Sequence, residues 1–444
     1  MKKFNHLKSY LNIILSKFFK KLRLFRKGFY LSFIEGHYSI SNKDIKRIKK
    51  FKHLNNSKII SKYEKKFARF IGEGKCFSFA AARMGFYELL KFNEIKKGDE
   101  VILLGFTCAV MANAIIKTGA KIIFSDIDIN NLGSNPNSIE SLITKKTKII
   151  VAQHSFGIPC EIGKIKEIAK KNKIFLIEDC SLTLGSKITD KVVGSFGDAS
   201  IFSTDHTKPI NTITGGILYT EQPILIKYLK KRRDNYPELN YKNKEYLWNV
   251  FIFERIFCNP LQNGKIELLK PILGLIIPNF KLINNELIKD NLSSPKSRKT
   301  YPAKLPTFCA LIGLKELEKW ERVSKERIIY LKKFIDLSSE LNLVLPKSYF
   351  DRRLLIIPLR LIWIDKNKNA NLENLRNFLD IESFWFKKPL IGTNESLKNF
   401  NYERNFCKNS ELVNQFIRNL PCAIESKFFE KMLNCLRINC SKET

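Results

Sequence analysis

Four short apolar runs, VILLG from residue 101, KIIFSDID from 121, KIIVAQH from 148 and IFLIED from 174, are interspersed with segments of helical spacing such as AVMANAIIKTG and EIGKIKEIAKKN. Runs that are apolar throughout, rather than alternating, suit strands covered on both faces. Strands alternating with helices predict a mainly parallel sheet. The pattern therefore predicts an α/β body, entered through the helical stretches KIISKYEKKFARFIG and AARMGFYELLKF. In such sheets ligands sit beyond the carboxyl ends of the strands. His154 and Asp179, each closing a strand-like run, fall on that edge.

Less regular sequence flanks this body. Residues 1–55 read as a basic N-terminal extension, because Phe4, Leu7, Leu11, Ile14, Leu15, Phe18, Leu22 and Phe25 recur at helical spacing among lysines and arginines. Such a helix either packs on the body or a second subunit, or lies on an anionic membrane surface. Residues 56–235 form the expected large domain. Residues 236–304, with Trp248 and the fragment PILGLIIP closed by prolines 271 and 278, read as an irregular insertion too short to span a membrane. Residues 305–444 open on the helical run LPTFCALIGLKELEKWERVSKERIIYLKKFI and form a smaller C-terminal α/β domain, with LLIIPLRLIWI and ESFWFKKPLIG as its strands.

Composition narrows the class. With 44% apolar residues over 444 positions and no repeat or low-complexity segment, the chain is globular. Its formal charge of +35 invites polyanions. No zinc-finger spacing, RNP-like motif or basic helix-turn-helix accompanies that charge, and the abundance of lysine, asparagine and isoleucine accounts for it as compositional bias, so nucleic acid is not an expected partner. Ten cysteines without CxxC spacing, scattered among apolar segments, predict reduced buried thiols and a cytoplasmic protein. The N-terminus does not read as a cleaved signal, and no apolar stretch reaches spanning length. Attachment at the inner face of the membrane would come only through the N-terminal helix.

The run GSFGDASIFSTDHTKPINTITGG, residues 194–216, carries Lys208, 29 positions after Asp179. A lysine amine is a covalent catalyst when it attacks a carbonyl, and an acid opposite it suits a cofactor whose pyridine nitrogen needs a counter-charge. Lysine plus acid points to pyridoxal phosphate chemistry. A lone lysine in so basic a chain would mean nothing without this setting.

From about residue 56 to near its C-terminus the chain resembles the fold-type-I pyridoxal phosphate enzymes of the DegT/StrS sugar-aminotransferase group. The resemblance runs through KKGDEVILLGFTCAVMANAIIKTGAKIIFSDID, TKIIVAQHSFGIPCEIGKIKEIAKKNKIFLIEDCS and VGSFGDASIFSTDHTKPINTITGGILYT. It implies a large domain built on a mainly parallel sheet of seven-stranded type. It also implies that Lys208 holds pyridoxal 5'-phosphate, that Asp179 pairs with its ring nitrogen and that Ser203 binds its phosphate. Glu178 should face the other side of the strand. Ala82 and Arg83 stand at a helix start where the family has Gly-Thr; helix amides there can hold a phosphate and Arg83 can add a contact, or point to solvent. Asp179 could instead be a salt-bridged acid at a strand end.

There are departures. Cys108 replaces an aromatic residue that stacks on the ring, leaving Phe106 as a nearby substitute, and Leu182 and Leu184 replace a glutamine and a histidine. His154 is a candidate neighbour of cofactor or substrate, whereas His206 reads as structural. The resemblance implies an aminotransferase acting on a nucleotide-linked keto-sugar, with glutamate as amino donor, in amino-sugar and surface-polysaccharide synthesis. It implies a homodimer in which Asp234 or Asn235 reaches toward the partner's site. The alternative is a catalytically weakened member serving as a membrane-associated scaffold.

Overall fold

The computed structural model describes residues 28–268, 302–366 and 371–440. The amphipathic pattern of residues 1–27 and the PILGLIIP fragment lie outside the described residues. Two helices lead into the sheet, α1 (Asn42–Lys49) and α2 (Ser57–Ala68). Each is started by a side chain that accepts a first-turn amide, Ser41 for α1 and Asn56 for α2. Strands β1 (Lys75–Phe79), β2 (Glu100–Leu104), β3 (Lys121–Ser125), β4 (Thr147–Gln153), β5 (Phe175–Asp179), β6 (Ala199–Ser203) and β7 (Gly216–Thr220) form one sheet in the order β1-β7-β6-β5-β4-β2-β3. Only β7 runs antiparallel to its neighbours, so the expected mainly parallel seven-stranded sheet is what forms.

Helices α3 (Ala82–Phe92), α4 (Ala109–Ile116), α5 (Pro136–Leu142) and α6 (Ile162–Lys171) connect the strands, and α7 (Pro223–Arg233) follows β7. The apolar runs become strands buried along their whole length, as in β2 and β7. The interval expected to be irregular is partly regular, because Tyr241–Phe257 forms α8, capped by Asn240 and burying Leu247, Trp248, Val250 and Phe251. Its buried positions share one face, but Ile252, Phe253, Ile256 and Phe257 carry apolar character round to the other side, so no clear helical period marks it.

Helix α9 (Thr307–Glu340) packs its first half, including Phe308, Ile312 and Leu317, into the core beside the sheet. Its second half, through Leu331, Phe334 and Leu337, enters a second core made by the C-terminal residues. There β8 (Arg360–Ile364) pairs antiparallel with β9 (Ile417–Pro421), which follows α10 (Lys408–Phe416) and precedes α11 (Ser426–Cys440). LLIIPLRLIWI thus supplies a strand, as expected. ESFWFKKPLIG does not: its bulky residues crowd into a turn-rich crossing, and only Leu390–Ile391 is extended, pairing with Thr107–Cys108 of the large sheet's edge loop. That crossing brings Trp385 and Phe386 over the carboxyl end of the sheet.

Residues 28–41 are a strap rather than a free extension. Leu31 is fully buried, bridges to Leu379, and donates its N–H to the carbonyl of Phe378. Phe29 and Phe33 enter the same core. At about 2 kcal/mol for each such side chain, the strap is bound firmly to the C-terminal unit. The described cysteines are free and, Cys108 apart, buried. Among the described residues, no helix is long and apolar enough to cross a membrane.

Candidate active site

The carboxyl edge of the sheet opens on a cavity of about 280 Å³. Strand ends place its polar groups. Asp179 ends β5, Ser203 ends β6, and Lys208 stands on the loop beyond β6. Ala82 and Arg83 begin α3, and Cys108 precedes α4; all of these line the cavity. One wall is Leu182, and the roof is Trp385 and Phe386 from the C-terminal crossing.

Asp179 is buried, and its Oδ1 accepts the N–H of Ser181 at 2.9 Å. Burial pushes its carboxyl up, against the Ser181 hydrogen bonds and the charge of Lys208, which favour the ionised form. Burial likewise lowers the Lys208 amine, opposed by Cys108, Asp205 and Asp179. The Lys208 Nζ lies 4.5 Å from the Trp385 ring centroid. On the same ring, at 3.8 Å, rests the guanidinium of Arg360, also 3.9 Å from the Phe33 ring. Burial pulls the Arg360 guanidinium down to about 9.

The start of α3 is built for an anion. Its N-cap, Ala81, makes no side-chain capping bond, so the first-turn amides are not answered from that side chain. Strand β7 comes hard against it: a Cβ on Gly216 would lie 2.2 Å from the Ala82 Cα. Gly215, at φ +135°, adopts backbone that a side chain resists. These glycines explain the TGG run as a close approach beside the anion site.

Two expectations need correcting. His154 is fully buried, is not among the residues lining the cavity, and accepts the Cys160 N–H at Nδ1 (3.1 Å), leaving Nε2 to donate to Glu178 (3.1 Å). The register pairs Gln153 with Asp179, so Gln153, one position earlier, shares the cavity face. Strand alternation then turns His154 away. Phe106 is also fully buried, packed 4.5 Å from Phe386, and is absent from the lining, where Trp385 and Phe386 supply the aromatic surface. Leu184 lies in the sheet core and not on the wall. Glu178 faces away from the cavity, as expected, and accepts the N–H groups of Gly194, Phe196 and Gly197. Asp234 and Asn235, at the end of α7, are exposed and do not line the cavity. Asp205, Gln153, Trp385 and Arg360 were missed. Alternation could have found Gln153, but Trp385 and Arg360 reach the site only through tertiary packing.

A seven-stranded, mainly parallel sheet with a lysine, an acid and a helix start around one edge cavity is the architecture of fold-type-I pyridoxal phosphate enzymes. A putative sugar aminotransferase of Streptococcus pneumoniae in its PLP form superposes with TM-score 0.68 at 14% identity, over 93% of this chain and 98% of that one. Residues 39–246 match the profile of the DegT/DnrJ/EryC1/StrS aminotransferase family. GDP-perosamine synthase of Escherichia coli O157:H7 is 44% identical over 131 residues, 30% of this chain and 36% of that protein. The spore coat polysaccharide biosynthesis protein SpsC of Bacillus subtilis is 34% identical over 168 residues, 38% of this chain and 43% of that protein. The matched stretch therefore spans less than half the length of either relative.

Proposed function

We propose that the protein is a pyridoxal phosphate-dependent aminotransferase acting on a nucleotide-linked keto-sugar, with glutamate as amino donor, in amino-sugar synthesis for a surface polysaccharide. The observation that carries this reading is the convergence of Lys208, Asp179 and the uncapped start of α3 on one cavity. The residues fit the cofactor. Ser203, Arg83 and the first amides of α3 would hold its phosphate, Asp179 would face its ring nitrogen, and Lys208 would hold it covalently. When bound, the cofactor supplies a carbonyl carbon and an electron-withdrawing ring.

The chain's own residues do the rest. With its amine biased toward the neutral form by burial, Lys208 Nζ takes a proton from the donor Cα and gives it back on the other side of the transfer. Asp179, held by Ser181, fixes the negative charge that the ring nitrogen needs. Trp385, Phe386 and Leu182 give the reacting atoms an apolar roof and wall, and the keto product leaves by hydrolysis with water admitted to the cavity. Donor and acceptor use the same site in turn. The enzyme works in the cytoplasm as a homodimer, with Asp234 or Asn235 exposed at the end of α7 to reach a partner.

An absorption spectrum with added pyridoxal phosphate tests this. Wild-type protein is expected to show a visible band that glutamate bleaches, and Lys208→Ala is expected to lack it and to lose turnover by about 10,000-fold. A folded wild type without a Lys208-dependent band would overturn the reading and favour the scaffold alternative. Incubation with nucleotide-linked keto-sugars, followed by mass spectrometry, then identifies the acceptor.

A further inference from the structure

Behind the Lys208 loop lies a buried row of charged groups that the proposed chemistry does not use. Asp205 lines the cavity beside Lys208. Its Oδ1 lies 3.2 Å from Nε2 of His206, close enough for an ion pair though not aligned as a hydrogen bond. On its other side His206 meets Glu254 of α8 through Nδ1 in a short contact. Glu254 in turn accepts from Asn211 at 3.0 Å and lies 3.6 Å from His37, which contacts Glu316 of α9 at 3.2 Å. His206 and Glu254 are both buried. A buried carboxylate that grips one face of an imidazole favours the imidazolium and leaves its other nitrogen for a second anion.

We propose that His206 is a positioning residue for Lys208: anchored by Glu254, its imidazolium occupies the Asp205 carboxylate, so that Asp205 does not close an ion pair on the Lys208 amine. The inference rests on the reading of Lys208 as the cofactor-holding residue. An amine locked to Asp205 as an ammonium could neither attack a carbonyl nor accept a proton. The other charges that act on Lys208 are those of Cys108 ahead of α4, Asp179 of β5 and Arg360 of β8, whereas those that act on His206 are Asp205 and Glu254. His206 therefore acts on the amine through Asp205. In this arrangement an acid that approaches the cavity is neutralised from behind, and the amine keeps its reactivity.

The test is a pulse of acetic anhydride across a pH series on the full-length, cofactor-free chain, with acetylation of Lys208 read by peptide mass spectrometry. His206→Gln is expected to raise the Lys208 midpoint by about one pH unit, a tenfold loss of free amine at neutral pH. Glu254→Gln should move it the same way by less. Asp205→Asn, which leaves the buried His206–Glu254 pair in place, should lower it, and Asp205→Asn combined with His206→Gln should cancel the rise. An unmoved midpoint in a His206→Gln protein of native circular dichroism, or a rise that persists in the double variant, would overturn the proposal. If His206→Gln does not fold, Glu254→Gln decides: loss of its negative charge would by itself lower the Lys208 midpoint, so only a weakened hold of His206 on Asp205 can raise it. The same variants titrated with pyridoxal phosphate should show the pH dependence of the visible band moving in parallel. Absence of the band in wild type counts against the cofactor reading, while the acetylation midpoints still decide the part played by His206.

Discussion

At the scale of single residues, charge and burial pull against each other around the cavity. Burial biases Asp179 and Lys208 toward their neutral forms, and their mutual attraction restrains both. His206 goes the other way. Burial lowers it, but Asp205 and Glu254 outweigh that and raise it from 6.5 to about 9. A group raised on folding contributes its stability in full below its unfolded value and loses it as pH climbs through the folded one. Wild type should therefore exceed His206→Gln in unfolding free energy by on the order of 3 kcal/mol at about pH 6, with the difference shrinking toward about pH 9. Urea titrations at several pH values measure it; a difference that grows with pH would contradict the imidazolium assignment. Lys208, Asp179 and Ser203 were legible in the sequence because they sit in local motifs next to strand ends. His154 was misplaced by one position, because a motif names a neighbourhood while the alternation of a strand decides which of two neighbours faces the ligand.

At the scale of elements, Glu178 does for the turn that leads into β6 what Asp179 does for the cavity. Its two oxygens take three backbone N–H groups from residues 194–197 as well as His154. Glu178→Ala leaves the buried Gly194 and His154 donors, and the half-buried Phe196 and Gly197 N–H groups, without their acceptor, at a cost of about 3–5 kcal/mol. Chemical denaturation should register that loss, and a change below about 1 kcal/mol would mean the turn rearranges to satisfy itself. The alternation of apolar runs and helices made this sheet readable, since covering both faces of a strand leaves a mark in every residue of it. The crossing at 382–392 was not readable. Its apolar residues have a strand-like composition, but what they cover is a cavity roof contributed by distant parts of the chain, and no local period encodes that.

At the scale of the whole molecule, the strap and α9 join the two cores. The family match begins at residue 39, beyond most of the strap, so nothing in that similarity would have announced it. A chain lacking residues 1–41 loses Phe29, Leu31 and Phe33 from the C-terminal core and His37 from the Glu254 cluster. It should unfold at a clearly lower urea concentration than a chain lacking only residues 1–27, by several kcal/mol from the three apolar side chains alone. Equal stability of the two truncations would mean the strap is only loosely held.

The strap also sets an order of events. Synthesis delivers Leu31 well ahead of its bridging partner Leu379 and the core around it, which emerge only after every strand of the large sheet has been made. Until then Phe29, Leu31 and Phe33 have no place to go, and the sheet must form while an apolar segment at its leading end stays exposed. A nascent chain in that condition is at its stickiest between the emergence of β7 and that of the second core. Stalling between the codons for β7 and for Leu379 would therefore prolong the interval in which this protein is most open to aggregation.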